Sequence, residues 1–180
     1  MITRVLLVLM TVFTGSSVHQ NTLIEWHPDR KLTWSDFKAV PDPNSTNAAL
    51  TISSINIEFG YSDQSWHYSI KCRFDKNRSW MRVKSGQILT HEQGHFDIAE
   101  LYARKLNKAL KEYRFRPKTI NRDVNSIYEK LMAEHHKAQS KYDRETDFSR
   151  DKSKQAVWTS KIAKDLQSLD AYAGYGGTGN

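Results

Sequence analysis

Residues 85–113 read SGQILTHEQGHFDIAELYARKLNKALKEY, and their periodicity decides how the chain is built. Ile88, His91, His95, Ile98, Tyr102, Leu106 and Leu110 recur at steps of three and four. That spacing gathers side chains on one face of an α-helix, here predicted over 85–113. The Arg116-Pro117 pair ends the pattern, because proline cannot continue a helix.

The segment HEQGH at 91–95 gives this helix a chemistry. Two histidines four residues apart lie about 40° apart around a helix and one turn up, so both rings can reach one ion. Neutral imidazole is a good zinc ligand. Glu92, beside the first of them, is placed to take a proton from a metal-activated water as it attacks a carbonyl. It can then deliver that proton to the leaving amine. The competing reading, two core histidines with Glu92 in solvent, leaves two buried imidazoles that each need a partner.

A zinc hydrolase site wants a third protein ligand and an open position. Asp97 and Glu100 are close in sequence but point about 240° and 180° away from His91 around the helix. The ligand must therefore come from downstream. The acidic cluster YDRETD at 142–147 offers Asp143, Glu145 and Asp147, and His135 is a rival. The alternative for His135 is a satisfied histidine that supports the site without touching the metal. His136 points elsewhere, toward the surface.

Upstream the period changes from helical to two. Ile55, Ile57 and Phe59 alternate with polar residues, Trp66 to Phe74 alternates over five positions, and Tyr61–Ser65 between them reads as a hairpin turn. One or two brief strands are expected over 23–37, around the His27-Pro28-Asp29 turn, and 41–47, PDPNSTN, is a loop. Downstream, helices are predicted over 118–142 and 152–171. The first has Ile120, Val124, Ile127, Leu131, His135, Ala138 and Tyr142 on one face. The second has Val157, Trp158, Ile162, Leu166 and Leu169. Strands first and helices afterwards predict an α+β fold: a small N-terminal antiparallel sheet followed by a helical region carrying the HExxH helix.

At 180 residues the chain is long enough for one domain with a real core. Its first residues differ in kind. Met1–Arg4 give a positive start, Val5–Phe13 an apolar run, and Gly15, Ser16 and Ser17 small residues, the layout of a secretory signal peptide. The run is too short for a stable membrane span. The expected organisation is a leader at 1–17, one domain at 18–172, and a disordered Gly-rich tail at 173–180. The location that follows is extracytoplasmic, periplasmic or secreted, with no membrane insertion once the leader is removed. The single cysteine, Cys72, cannot form an internal disulfide and alternates with Trp66, Tyr68, Ile70 and Phe74, so it should face the core. The formal charge of +7 is spread among acids, as in RETDFSRDKSK, which reads as solvated surface and argues against a nucleic-acid partner.

Three stretches together resemble a bacterial family of unknown function whose members are described as predicted secreted zinc-dependent proteases of the zincin type. They are HEQGHFDIAELYARKL at 91–106, RKLTWSDFKAVPD at 30–42, and YDRET at 142–146 followed by Gln155 and Trp158. The resemblance implies a zincin-like fold, one Zn2+ per chain held by His91 and His95, Glu92 as the catalytic carboxylate, and a site completed by the YDRET block. By analogy with zincins that use an aspartate, it implies Asp143 as third ligand. Tyr142 and Arg144 become candidates to polarise the substrate carbonyl or steady an oxyanion. One place departs from the pattern: the family's YDxxT is followed by x-His-Gly, and here stand Asp147, Phe148 and Ser149. The expected function is a zinc-dependent peptidase acting on a peptide or protein substrate. The alternatives are a non-catalytic, zinc-stabilised envelope module and a zinc amidase acting on cell-wall peptides.

Overall fold

The period-two alternation at Trp66–Asp75 builds the strand on which the domain is assembled. In the computed structural model, which describes residues 22–179, β1 (Leu23–Glu25), β2 (Ala49–Leu50), β3 (Ser53–Tyr61), β4 (Trp66–Asp75) and β5 (Trp80–Met81) precede the helices. Trp66, Tyr68, Ile70, Cys72 and Phe74 face inward from β4 and their neighbours face out. β3 pairs antiparallel with β4, Ile55 opposite Cys72 and Ile57 opposite Ile70. The Ser62 amide donates to the Ser65 carbonyl at 2.8 Å to close the hairpin. On the other edge of β4, β1 pairs at the Phe74 end. A second, two-stranded sheet joins β2 to β5.

Three helices follow: α1 (Gly86–Lys111), α2 (Ile120–Glu145) and α3 (Lys152–Ser168). The Ser85 hydroxyl caps α1 by accepting from the Ile88 amide, and Asp151 caps α3 by accepting from Lys154. The fold is α+β, an antiparallel sheet and then helices. One departure from expectation is α1, whose single apolar stripe suggested a helix with one buried face. It is instead the central element, covered by the sheet on one side and by α2 and α3 on the others. Phe96 packs on Phe74 from α1 to β4, ring centroids 5.8 Å apart. Each fully buried Phe or Leu of this kind contributes about 2–3 kcal/mol. Three polar residues of α1 are buried with the rest and paired: Arg104 Nε donates to Glu100 at 2.9 Å, and Asn107 accepts from the Tyr68 hydroxyl at 2.7 Å.

The C-terminal residues correct the expectation of a disordered tail. β6 (Gly177–Gly179) pairs with the Trp66 end of β4. Asn107 Nδ2 donates to the carbonyls of Tyr172 and Gly174, both at 2.9 Å, and the Tyr175 hydroxyl donates to Glu100. The glycines that suggested disorder are what fits: a Cβ at Gly177 would stand 3.1 Å from the Tyr68 ring. Cys72 faces the core as expected, and burial pushes its thiol pKa up, so it is inert. The leader read at 1–17 lies outside the described residues. No helix among those described is long and apolar enough to cross a membrane.

Candidate metal centre

The block HEQGHFDIAE spends nearly every residue on a different neighbour. His91 and His95 project from α1 toward α2, one turn apart. Gln93 and Asp97 point toward the N-terminal segment: Gln93 Oε1 accepts from the Leu32 amide and Asp97 from the Trp26 indole, each at 2.7 Å. Phe96 and Ile98 enter the core. Gly94 leaves room for Tyr142 of α2, since a Cβ there would lie 2.7 Å from the ring carbon Cζ and closer still to the hydroxyl. Asp97 and Glu100 are thus engaged elsewhere, as the helical angles required.

Of the downstream candidates, Asp143 is the one brought to the histidines. Its Oδ1 lies 3.2 Å from His91 Nε2 and 3.0 Å from His95 Nε2, and the two Nε2 atoms are 3.1 Å apart. Glu145 instead accepts from the Trp158 indole at 2.9 Å, and Asp147 pairs with Arg150 at 2.7 Å. His135 stands one residue further out: its Nε2 accepts from Gln139 Nε2 at 2.8 Å. Burial, with His136 and His95 adding to it, lowers its pKa to about 4, so it is neutral. His136 is exposed at the mouth of the same cleft.

The hydrogen bonds fix where the protons are on the two histidine rings. Gln139 Nε2 donates to the His95 carbonyl at 3.0 Å, which turns its Oε1 toward His95 Nδ1 at 2.6 Å. The Tyr142 hydroxyl donates to the His91 carbonyl at 3.1 Å and accepts from Gln155 Nε2 at 2.7 Å. Gln155 Oε1 therefore faces His91 Nδ1, at 3.0 Å. An amide oxygen only accepts, so both Nδ1 atoms carry the proton and both Nε2 atoms present lone pairs. Two lone pairs and a carboxylate oxygen then converge without a proton among them, an arrangement that repels unless a cation joins it.

The donor set fits zinc. Bonds of about 2.0–2.2 Å in a tetrahedral shell place ligand atoms about 3.3–3.6 Å apart, so the observed triangle of 3.0–3.2 Å needs to open by only a few tenths of an ångström. Among the described residues His91, His95 and Asp143 form the one group of three able to share an ion. Without a metal the same geometry draws in positive charge. Burial lowers the His95 pKa, but its hydrogen bond to Asp143 and the Glu92 and Asp143 charges outweigh that, and the net shift is upward. Burial likewise raises Asp143, and the neighbouring His91 and His95 rings more than reverse it, holding the carboxyl well below the usual range.

Glu92 borders the same centre in a cleft of about 640 Å³ whose walls include residues 46–53, Ile88, Gln139 and Phe148–Arg150. Among the described residues nothing hydrogen-bonds its carboxylate. Tyr142 is a correction. It was a candidate for contact with substrate, yet it is 0% exposed, both bonds of its hydroxyl point into the protein, and it does not line the cleft. Its ring stacks on His91, centroids 4.6 Å apart and 14° between planes, and meets His95 edge-on at 5.0 Å. Tyr142 therefore backs the two histidine rings. Arg144 is exposed and is absent from the cleft wall. Gln139 was missed by sequence reasoning, although His135, Gln139 and Asp143 stand at steps of four on one face of α2, which was the available signal.

The turn from α2 to α3 borders the cleft and is unusual. Asp147, Phe148 and Ser149 have φ of 48°, 51° and 75°, three consecutive non-glycine residues in the left-handed region. Asp151 N donates to the Thr146 carbonyl at 2.9 Å across the turn, and Gln87 donates to the Ser149 carbonyl. Phe148, where the resembled pattern has histidine, lies half exposed on the cleft wall.

Fold and site together define an α+β domain with a partly buried His-His-Asp cluster on an open cleft. Residues 20–150 match the model of a family described as "Bacterial protein of unknown function (DUF922)", and the chain belongs to that family. No curated protein and no solved structure matches it.

Proposed function

We propose that the protein is a zinc-dependent peptidase of zincin type that acts outside the cytoplasm. The observation that carries this reading is the convergence of His91 Nε2, His95 Nε2 and Asp143 Oδ1 within 3.0–3.2 Å of one another, on the cleft that Glu92 also lines. His91, His95 and Asp143 would hold the zinc. When bound, zinc supplies Lewis acidity, drawing electron density from a water and from a carbonyl oxygen. Glu92 does the proton work. Its carboxylate takes the proton that the attacking water loses and gives it to the amine nitrogen as the C–N bond breaks, leaving a carboxylate and an amine. Tyr142 takes no part in these transfers, because burial raises its pKa and its hydroxyl is committed to the His91 carbonyl. The extracytoplasmic location is supported by the order of positive, apolar and small residues at 1–17.

The test is hydrolysis of an unstructured protein such as casein by zinc-loaded protein and by Glu92→Ala. The expected result is cleavage that falls by at least 10³-fold in the variant while zinc stays bound. Cleavage unchanged in Glu92→Ala would overturn the assignment. A second reading, a zinc-stabilised module without activity, is favoured by Phe148 at the cleft wall in place of histidine. In that case zinc raises the melting temperature and Glu92→Ala changes nothing.

A further inference from the structure

We infer that Gln139 and Gln155 are positioning residues that prepare the metal site in advance, by fixing the Nδ1–H tautomer of both ligand histidines. This rests on the zinc reading above and extends it to two residues outside the HExxH segment. In water a free imidazole prefers the proton on Nε2, the atom needed here for the metal. Each histidine is turned away from that preference by a carboxamide oxygen on its Nδ1, at 2.6 Å for His95 and 3.0 Å for His91.

Both carboxamides are held in this orientation from behind. The amide nitrogen of each is tied back to the main-chain carbonyl of the histidine whose ring it orients. Gln139 reaches the His95 carbonyl directly. Gln155 reaches the His91 carbonyl through the Tyr142 hydroxyl. Flipping Gln139 would set its oxygen against the His95 carbonyl oxygen, which can only accept; flipping Gln155 would draw the Tyr142 hydroxyl away from the buried His91 carbonyl. A second acceptor, His135 Nε2, reinforces Gln139, and the neutral state of His135 keeps it an acceptor.

Two consequences follow. The supporting shell is electrically neutral, so Asp143 brings the only formal charge among the three ligands. The site also spans the whole helical region: α1 gives the histidines, α2 gives Asp143 and Gln139, and α3 contributes Gln155 from beyond the residues matched by the family. Outer partners of metal-bound histidines commonly account for 10–100-fold in metal affinity.

The experiment is zinc affinity, measured by competition with a chromogenic chelator, for the full chain and for Gln139→Leu, Gln155→Leu and Gln155→Glu. The leucine variants keep approximate volume and remove the acceptor; affinity should fall 10–100-fold. Gln155→Glu restores an acceptor for His91 Nδ1–H and lets the Tyr142 hydroxyl donate to it, so affinity should equal or exceed that of the parent. If a leucine variant does not fold, as judged by circular dichroism of the metal-free protein, Gln155→Glu decides. Affinity tenfold or more below the parent in Gln155→Glu, or unchanged in folded leucine variants, would overturn the inference while the zinc reading stands. Failure of the parent chain itself to bind zinc would instead overturn the zinc reading, and this inference with it.

Discussion

Replacing Gly94 by alanine separates two physical effects of opposite sign. Gly94 sits inside α1, where alanine is the better helix former by about 1 kcal/mol. On local grounds Gly94→Ala should stabilise. Its new Cβ, however, would lie 2.7 Å from Tyr142 Cζ and nearer to the hydroxyl. Tyr142 cannot swing aside, being fully buried and bonded at its hydroxyl to the His91 carbonyl and to Gln155. Overpacking costs about 1–3 kcal/mol. Pushing the hydroxyl off its partners leaves buried polar groups unpaired at about 1–3 kcal/mol each. Net of the helix gain, and with both hydroxyl partners lost, the loss should be about 2–8 kcal/mol, a fall in Tm of about 4–30 °C for a domain of this size. Because Tyr142 carries Gln155, zinc affinity should fall as well. Thermal melts with and without zinc read both effects. Adding Tyr142→Phe removes the most crowded atom and should recover part of the loss, a non-additivity expected of residues in contact. A Gly94→Ala protein as stable as the parent, or more so, would refute the packing described here.

Two other outcomes are expected. His135 has a folded-state pKa of about 4 against an ordinary 6.5, so the unfolded chain binds its proton first and stability is lost as pH falls from about 6.5 towards 4. The shift corresponds to about 3 kcal/mol; His135→Leu should lose stability less steeply over that window in urea titrations, and identical pH dependence would count against a buried neutral imidazole. Phe148→Gly should stabilise by about 0.5–1 kcal/mol, because the left-handed conformation at φ 51° costs a non-glycine residue about 1–2 kcal/mol and glycine's backbone entropy returns only part of it; a lower Tm in this variant would show that the Phe148 ring contributes more than the strain.

The parts of this structure legible in the sequence are those set by local period and by one motif. Alternation at Trp66–Phe74 located β4 and its inward residues, and the three-and-four spacing located α1 with both histidines on one face. The gathering of His91, His95 and Glu92 on one cleft followed from HExxH spacing. Asp143 did not. Spacing left it level with Glu145, Asp147 and His135, and only family resemblance preferred it. What separates these candidates is tertiary: Trp158 occupies Glu145 and Arg150 occupies Asp147. Tyr142 was misread for a related reason. A tyrosine beside a ligand looks the same in sequence whether its hydroxyl faces substrate or a helix carbonyl, and the space at Gly94 decides it. The pairing of β6 with β4 was hidden because a Gly-rich tail resembles a disordered one unless the aromatic surface it fits is known.

The central claim is that His91, His95 and Asp143 hold one zinc ion, and calorimetric zinc titration of the metal-free protein tests it most directly. The account predicts one high-affinity site per chain, lost in Asp143→Ala and retained in Glu145→Ala and Asp147→Ala. No binding by the parent chain, or binding untouched by Asp143→Ala, would contradict it.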